Sequence, residues 1–519
     1  MTTPDPARTR TGHLGLIVTV SGGTFLAMLD STATNLAIPA LHKDFPAASL
    51  ANLSWVITAY VVLFAALLVS TGRLADVVGR RRVFIAGVTI FTAMSLACAI
   101  SPNLPLLVAS RAVQGIGAAA MIPAALAILL LDGPLDRRAR SMALWTAASA
   151  MAAAVGPAVG GVLVDWLGWR SVFYINLPFG VAMLVAATRI LPRQASNASK
   201  SLPDPIGTVL LAGGVGAMTV GITQGATWHW SDPRTLGCLL GGLLATAFAV
   251  WRSTRRPAPA VETELWGNRT YLATNVASLL YGLAQYPWLL VTVLYIVDSW
   301  QYSELKAGLA ITPGAVFASA AALLVGRVGG KLAGPRQATL VGLLAYLAGG
   351  VWMVIGTTEQ ESFLALLLPV MFLAGSGMGA ITFGTSMAAA MSAPPVRFAG
   401  ASGLNTMARQ FGGALGVAAL AVILESNAGG GADAYRAVYL FCTIVVGIAL
   451  VVSWVGLRFA PPPSAPSAPS ASSAPLAPSA PSALSAPSVP APKPAAEAPK
   501  LPVKAQHSVP AGATPEPAD

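Results

Sequence analysis

Charge is scarce in this sequence. Asp, Glu, Lys and Arg make up 10% of its 519 residues, while 55% are hydrophobic, a balance far outside that of soluble globular proteins. Cysteine is scarcer still: Cys98, Cys238 and Cys442 all fall inside long apolar stretches, which disfavours a disulfide framework and leaves small apolar packing as their role. His13, His42, His229 and His507 lie in polar connections or near the ends of apolar stretches, so no metal site is expected. No GxxxxGK followed by Ser or Thr occurs, and GGKL at 329–332 has neither the spacing nor the hydroxyl, which disfavours a nucleotide-driven pump within the chain. The longest internal polar connection, near 252–270, is too short to be a domain. An enzyme is therefore not expected, nor a cofactor.

Long apolar stretches are abundant. About 20 such residues cross a bilayer, and fourteen candidate spans centre on 14–39, 54–73, 83–101, 104–131, 141–164, 171–192, 206–226, 236–251, 272–297, 307–326, 338–356, 363–391, 400–424 and 437–457. The expected class is an all-α integral membrane protein. The first stretch is too long for a signal peptide and lacks a small-residue cleavage pattern, so it is expected to remain as the first helix. The net charge of +11 is read as topology, not as a nucleic-acid footprint, because Lys and Arg collect in cytoplasmic loops. With the N-terminus inside, 24 of the 31 Lys and Arg are cytoplasmic and five (Lys43, Arg170, Arg234, Lys306, Arg436) are outside, with Arg111 and Arg409 inside spans. Runs such as GRRR at 79–82, DRRAR at 136–140 and RSTRR at 252–256 have no match on the outer side. Both termini are thus expected in the cytoplasm. Arg outnumbers Lys 24 to 7 and Ala, Gly and Pro are abundant, a composition that points to a GC-rich bacterial genome and hence a bacterial cytoplasmic membrane. From 460 to 519 the chain is a Pro/Ala/Ser tract, expected to be a disordered cytoplasmic tail.

A chain that is nearly all membrane and has no phosphate cradle points to secondary transport driven by an ion gradient. Four local patterns sharpen this. GRLADVVGRRR at 72–82 sits between the second and third spans. There Gly72 and Gly79 permit a tight turn, while Asp76 and Arg80 can make charge-assisted bonds; the arginines alone would be an ordinary positive-inside loop. RAVQGIGAA at 111–119 puts Arg111 about two turns inside the fourth span, where a guanidinium costs about 2.5 to 3.5 kcal/mol and normally faces a partner or a cavity. Gln114 follows at i+3 on the same face, and Gly115 and Gly117 allow close helix approach. AAAVGPAVGG at 152–161 carries a small-residue stripe, Gly156 and Gly160, with Pro157 between them and Gly161 after; the proline removes a backbone donor and bends the helix. LDSTATNLAIP at 29–39 sets Asp30 in an apolar run.

Together these resemble the major facilitator superfamily, and within it the fourteen-helix drug:proton antiporters, over the whole chain up to the tail. The 72–82 stretch is similar to the superfamily's cytoplasmic loop signature and 111–119 to its fourth-helix arginine motif. The 152–161 stretch resembles the antiporter signature typical of exporters, and 29–39 the first-helix motif of the fourteen-helix group, as do WRSVFYINLPFG at 169–180 and ARQFGGALGVA at 408–418. There are departures too. GRVGGKLAGPR at 326–336 is a second-half copy of the loop signature without its aspartate, and Val297 stands where the group commonly has Gln. The resemblance implies a major facilitator fold with 14 transmembrane helices (6+2+6): a cytoplasmic N-terminus 1–13, a six-helix bundle 14–192, two inserted helices 193–251, a cytoplasmic loop 252–270 and a second six-helix bundle 271–459. It further implies a proton-coupled antiporter that exports amphipathic drugs or antibiotics by alternating access, with a proton gradient as energy source. Gly72, Asp76, Gly79 and Arg80 would be conformational-switch residues. The expected partners are a small amphipathic substrate, protons and the lipid bilayer, with no nucleic acid, and the expected state is a monomer. Cavity candidates are Asn35, Tyr60, Gln114, Tyr281, Gln285, Asn405 and Arg409, of which Tyr60 and Gln285 could equally be packing residues. A proton-coupled uptake symporter of the same fold, or a receptor or scaffold without transport, remain the alternatives.

Of the twenty acidic residues only Asp30 sits deep in a span. It lies about 24 Å from the cytoplasmic start of its span and Arg111 about 10 Å from the outer start of its own; across spans of about 38 Å these depths coincide. An Asp30–Arg111 pair, direct or through water, therefore fits. It would be either a permanent ion pair joining two helices or a proton-exchanging site, since burial raises and the arginine lowers a carboxyl pKa.

Overall fold

In hydrocarbon every backbone N–H and C=O must find its partner within the chain, so long apolar stretches fold as helices. The computed structural model describes residues 6–131, 138–192, 203–328, 334–427 and 431–458. Segment 1–5, the tail from 460 and GGKL at 329–332 lie outside the described residues. The helices run α1 Pro6–Asn35, α2 Ile38–Asp44, α3 Leu50–Val78, α4 Arg80–Ala99, α5 Leu104–Leu131, α6 Arg138–Leu167, α7 Ser171–Tyr174, α8 Asn176–Ile190, α9 Pro205–Trp228 and α10 Pro233–Ser253. They continue with α11 Arg269–Asp298, α12 Glu304–Val328, α13 Pro335–Gly356, α14 Leu368–Met391, α15 Phe398–Ser426 and α16 Ala432–Gly456. Among the described residues thirteen spans are long and apolar enough to cross a membrane. Arg138–Leu167, bent by 43° between Ala153 and Ala158, makes fourteen when counted as one. The bend coincides with the Gly156–Pro157 step, where a backbone donor is missing.

Polar caps and prolines set the helix starts. The Ser49 side chain accepts from Asn52 N at the head of α3, Asp204 from Gly207 N before Pro205, Asp232 from Arg234 N before Pro233, and Asn268 from Thr270 N and Tyr271 N; each satisfies backbone donors left over at a helix N-terminus. One expected span is interrupted: the first ends at Asn35 and restarts as α2 around Pro39. The sixth runs as one span, Ser171–Ile190, through Ile175 between α7 and α8. The expected turn at Gly72 and Gly79 is made by Gly79 alone, at φ +113°, a region open chiefly to glycine. Gly72 lies inside α3, where a Cβ would stand 2.5 Å from the Ala399 carbonyl oxygen. Its role is thus close approach to α15.

Helices α1, α3, α4, α5, α6 and α8 share one apolar core built on Phe84, Phe91, Met121 and Trp145. Helices α11 to α16 share another built on Trp288, Tyr295, Tyr346 and Tyr439. The main seams between them are α3 on α15 and α6 on α12. Ser319 on α12 donates to the Ala147 carbonyl of α6 at 3.2 Å. Helix α9 packs on α3 and α15, and α10 packs on α9.

Candidate functional site

A carboxylate and a guanidinium buried in apolar surroundings are tolerated only when paired and hydrogen-bonded. Asp30 on α1 and Arg111 on α5 are each 1% exposed, and Arg111 Nη1 donates to Asp30 Oδ2 at 2.6 Å. The guanidinium makes further contacts. Its Nε donates to the Val56 carbonyl at 3.1 Å and Nη1 reaches Gln114 Oε1 at 2.7 Å. Its Cζ stands 4.3 Å from the centre of the Tyr60 ring and 5.6 Å from that of Phe173, within cation–π range. The second carboxylate oxygen, Oδ1, accepts from Asn176 Nδ2 at 2.7 Å and from Gln114 Nε2 at 3.2 Å. Ser95 Oγ on α4 accepts from both amides, at 2.7 Å from Gln114 and 3.2 Å from Asn176. Five residues from four helices thus form one closed polar cluster.

Small residues bring the helices that close. Gly115 on α5 faces the Tyr60 backbone, where a Cβ would stand 2.5 Å from its carbonyl oxygen. On α6, Gly156 faces Thr32 and Gly160 faces Ala33, next to Asp30 on α1, while Gly161 faces Leu36 at ordinary contact distance. The stripe with Pro157 between its glycines is therefore where α6 meets α1.

At the Arg80 end of the bundle a second cluster joins the two cores. Asp76 accepts from Ala399 N at 3.2 Å and Gly400 N at 2.9 Å, two donors of the first turn of α15, where a helix favours negative charge. Arg80 Nη2 donates to the Pro395 carbonyl at 2.8 Å. The connection after α10 adds Glu262, 7% exposed, which pairs with Arg73 of α3 and, at 3.2 Å, with Arg397 just before α15. Arg397 also pairs with Glu264, and that hydrogen bond holds the Glu264 carboxyl below its usual range.

At the opposite end Asp44 accepts from Trp169 Nε1 at 2.8 Å and Arg170 Nη1 at 2.9 Å, which lowers its pKa, Trp169 being the larger cause. Burial, then Glu361, pushes the Tyr302 phenol up to about 12. A cleft of about 500 Å³ opens at this end between Asp298, Glu359, Asn427 and Tyr435.

Of the cavity candidates, Tyr60 and Gln114 lie in the Asp30 cluster. Tyr281 is buried edge-on to Tyr346, with ring centroids 6.1 Å apart. Asn405 is buried and donates to Ser278 Oγ at 2.8 Å. Gln285 and Arg409 are half-buried on α11 and α15, and Asn35 is exposed at the C-terminal end of α1. Sequence reasoning missed Ser95, Asn176, Arg73, Glu262 and Arg397. Asn176 stood inside WRSVFYINLPFG, and its only signal was a polar side chain at a break between apolar runs. Ser95 and Glu262 carry no distinguishing pattern.

The model of the Major Facilitator Superfamily matches residues 20–417 and again 274–506. Among curated relatives, the chain is 32% identical over 419 residues to the multidrug resistance protein Stp of Mycobacterium tuberculosis, covering 80% of this chain and 76% of that one. It is 34% identical over 436 residues to the cephamycin export protein CmcT of Amycolatopsis lactamdurans, covering 82% and 87%. Among solved structures it is similar to the human organic anion transporter MFSD10 (TETRAN), with a TM-score of 0.59 at 15% identity, over 87% of this chain and 100% of that one. At that identity the likeness concerns the fold alone.

Proposed function

Because the chain belongs to the major facilitator superfamily, we propose that it exports amphipathic drugs, antibiotics or other toxic compounds across a bacterial cytoplasmic membrane as a proton-coupled antiporter. Its relatives with multidrug resistance and cephamycin export in their names support the substrate class. The charge distribution supports a topology with both termini in the cytoplasm. The Arg80 end is then cytoplasmic, and the Asp76, Arg80 and Glu262 contacts close it. Transport proceeds by alternating access: two six-helix bundles, 14–192 and 271–459, rock against each other, with the pair within 193–251 as an insertion. The protein works as a monomer.

In this cycle Asp30 takes a proton from the outer side and releases it inward while substrate moves out. Arg111 keeps the carboxylate compatible with burial between those events. Gly72, Asp76, Gly79 and Arg80 form the switch that opens and closes the cytoplasmic end. Gly156, Pro157, Gly160 and Gly161 set how α6 moves on α1. The cavity is lined by Tyr60, Gln114, Tyr281, Gln285, Asn405 and Arg409, with Asn35 at its outer edge.

One observation supports the proposal: a carboxylate buried among donors from α5 and α8, in a polar cluster that spans four helices. Intramembrane ionisable groups of this kind mark proton relays. The test is flux in reconstituted vesicles, with a panel of lipophilic cations and antibiotics under an imposed pH gradient. Wild type should concentrate substrate in an acidic lumen and Asp30→Asn should not; full gradient-driven transport by the Asn variant would defeat proton coupling at Asp30.

A further inference from the structure

The Asp30 cluster has an imbalance that the proposed cycle must resolve. Each partner of the carboxylate, Arg111 Nη1, Gln114 Nε2 and Asn176 Nδ2, is a donor. That suits an anion, whereas a neutral carboxylic acid carries a proton of its own and needs an acceptor. A buried acid facing donors only would be left with an unmade bond costing about 1 to 3 kcal/mol. One of the neighbours therefore has to present an oxygen.

Gln114 is locked against this. Its Oε1 accepts from Arg111 Nη1 at 2.7 Å, so turning the amide over would set an NH2 against a guanidinium and forfeit a charge-assisted bond. Tyr60 and Arg111 sit ring over cation, which keeps both in place. Asn176 is different. Its Oδ1 is buried and has no hydrogen-bond partner, so reversal leaves one amide atom unpaired in either orientation. The contact with Ser95 survives too, because a hydroxyl can accept from Nδ2 or donate to Oδ1 by rotating.

We propose that Asn176 is the positioning residue that lets Asp30 change protonation state, its carboxamide presenting Nδ2 to the carboxylate and, reversed, Oδ1 to the neutral acid. The inference rests on the reading of Asp30 as the proton-coupling residue. The only covalent change is the making and breaking of the Asp30 Oδ1–H bond, with the proton drawn from water on one side and returned to water on the other. Among the described residues, the titratable and charged groups around Asp30 are Arg111 on α5, which pairs with it, Tyr60 on α3, whose ring lies over Arg111, and Cys98 on α4, whose Sγ donates to Gln114 Oε1. Asn176 is the first residue of α8, one residue after α7.

The experiment is efflux by vesicles containing the full chain, measured as a function of lumen pH for wild type, Asp30→Asn, Asn176→Leu, Asn176→Ala and Asn176→Gln. Gel filtration and thermal melts establish which variants are folded. Wild-type rates should follow lumen pH. Asn176→Leu should flatten the profile to within about twofold per pH unit, a tenfold change in proton activity, matching Asp30→Asn; Asn176→Gln, which keeps both amide atoms, should restore the slope. Should the Leu variant misfold, Asn176→Ala carries the same expectation. A residue that merely supports the fold would lower the rate by one factor at every pH, and that result from a folded Leu or Ala variant would overturn the inference while leaving the Asp30 reading intact. A wild-type profile in Asp30→Asn would overturn both.

Discussion

The interior of α1, α4, α5 and α8 is held by an ion pair, two amides and a hydroxyl, whereas that of α11, α13 and α16 is filled by Trp288, Tyr346 and Tyr439, with ring centroids 5.1 and 5.2 Å apart. Both are buried, yet they differ in what they can do. The aromatic interior gains dispersion and edge-to-face contacts, about 0.5 to 1.5 kcal/mol per pair beyond burial, and has one low-energy arrangement. The ionic interior gains little net stability against an apolar one of equal volume. It alone has a charge that a proton can cancel. Under the proposed cycle, energy coupling falls to the first set of helices and rigidity to the second.

The sharpest way to break this contrast is to remove one charge. Arg111→Leu leaves Asp30 buried without a counter-ion, and a loss of about 3 to 5 kcal/mol is expected, read as a lower melting temperature and reduced folded yield. Pairing it with Asp30→Leu makes the first interior resemble the second. The double variant should recover stability to within about 1 kcal/mol of wild type while gradient-driven efflux stays at background, which separates coupling from folding in one protein.

The reciprocal change is Trp288→Ala, with an expected cost of about 3 kcal/mol or more for the cavity. Efflux per folded molecule should keep its wild-type pH profile; a changed profile would mean that the aromatic interior also takes part in coupling. Where the two sets of helices join, Glu262→Gln takes the carboxylate from Arg73 and leaves Arg397 with Glu264 alone. A cost of about 1 to 3 kcal/mol to the closed Arg80 end should appear as faster labelling of a cysteine introduced there.

The smallest effect is expected at Asp44. Its pKa is lowered by Trp169 and Arg170, so the stability it adds is present above its ordinary carboxyl range and is lost as pH falls through the lower folded value. Because the pair is half exposed, Asp44→Asn should cost less than about 1 kcal/mol at neutral pH. The difference from wild type should vanish in melts at strongly acid pH.

Much of this was legible beforehand. Rise per residue placed Asp30 and Arg111 at one depth, and the structure joins them directly. The i+3 spacing put Gln114 beside Arg111, where it is found at 2.7 Å. Gly72 was read as a turn residue because it opens a loop motif, but helix α3 runs through it and the glycine serves contact with α15 instead. Asn176 and Ser95 were not legible, because a polar residue among apolar ones gives no indication of which neighbour it will meet. Glu262 looked like any loop acid until the connection after α10 brought it between two arginines from separate helices.

The amino-acid sequence by itself determined the number of spans and the level of Asp30 and Arg111 along theirs, because those follow from apolar length and a fixed helical rise. Only the tertiary structure decided which groups at a given depth face one another. That depends on the rotation of each helix about its axis and on how closely its small residues let a neighbour approach, quantities set by packing between helices and not by the pattern along any one of them.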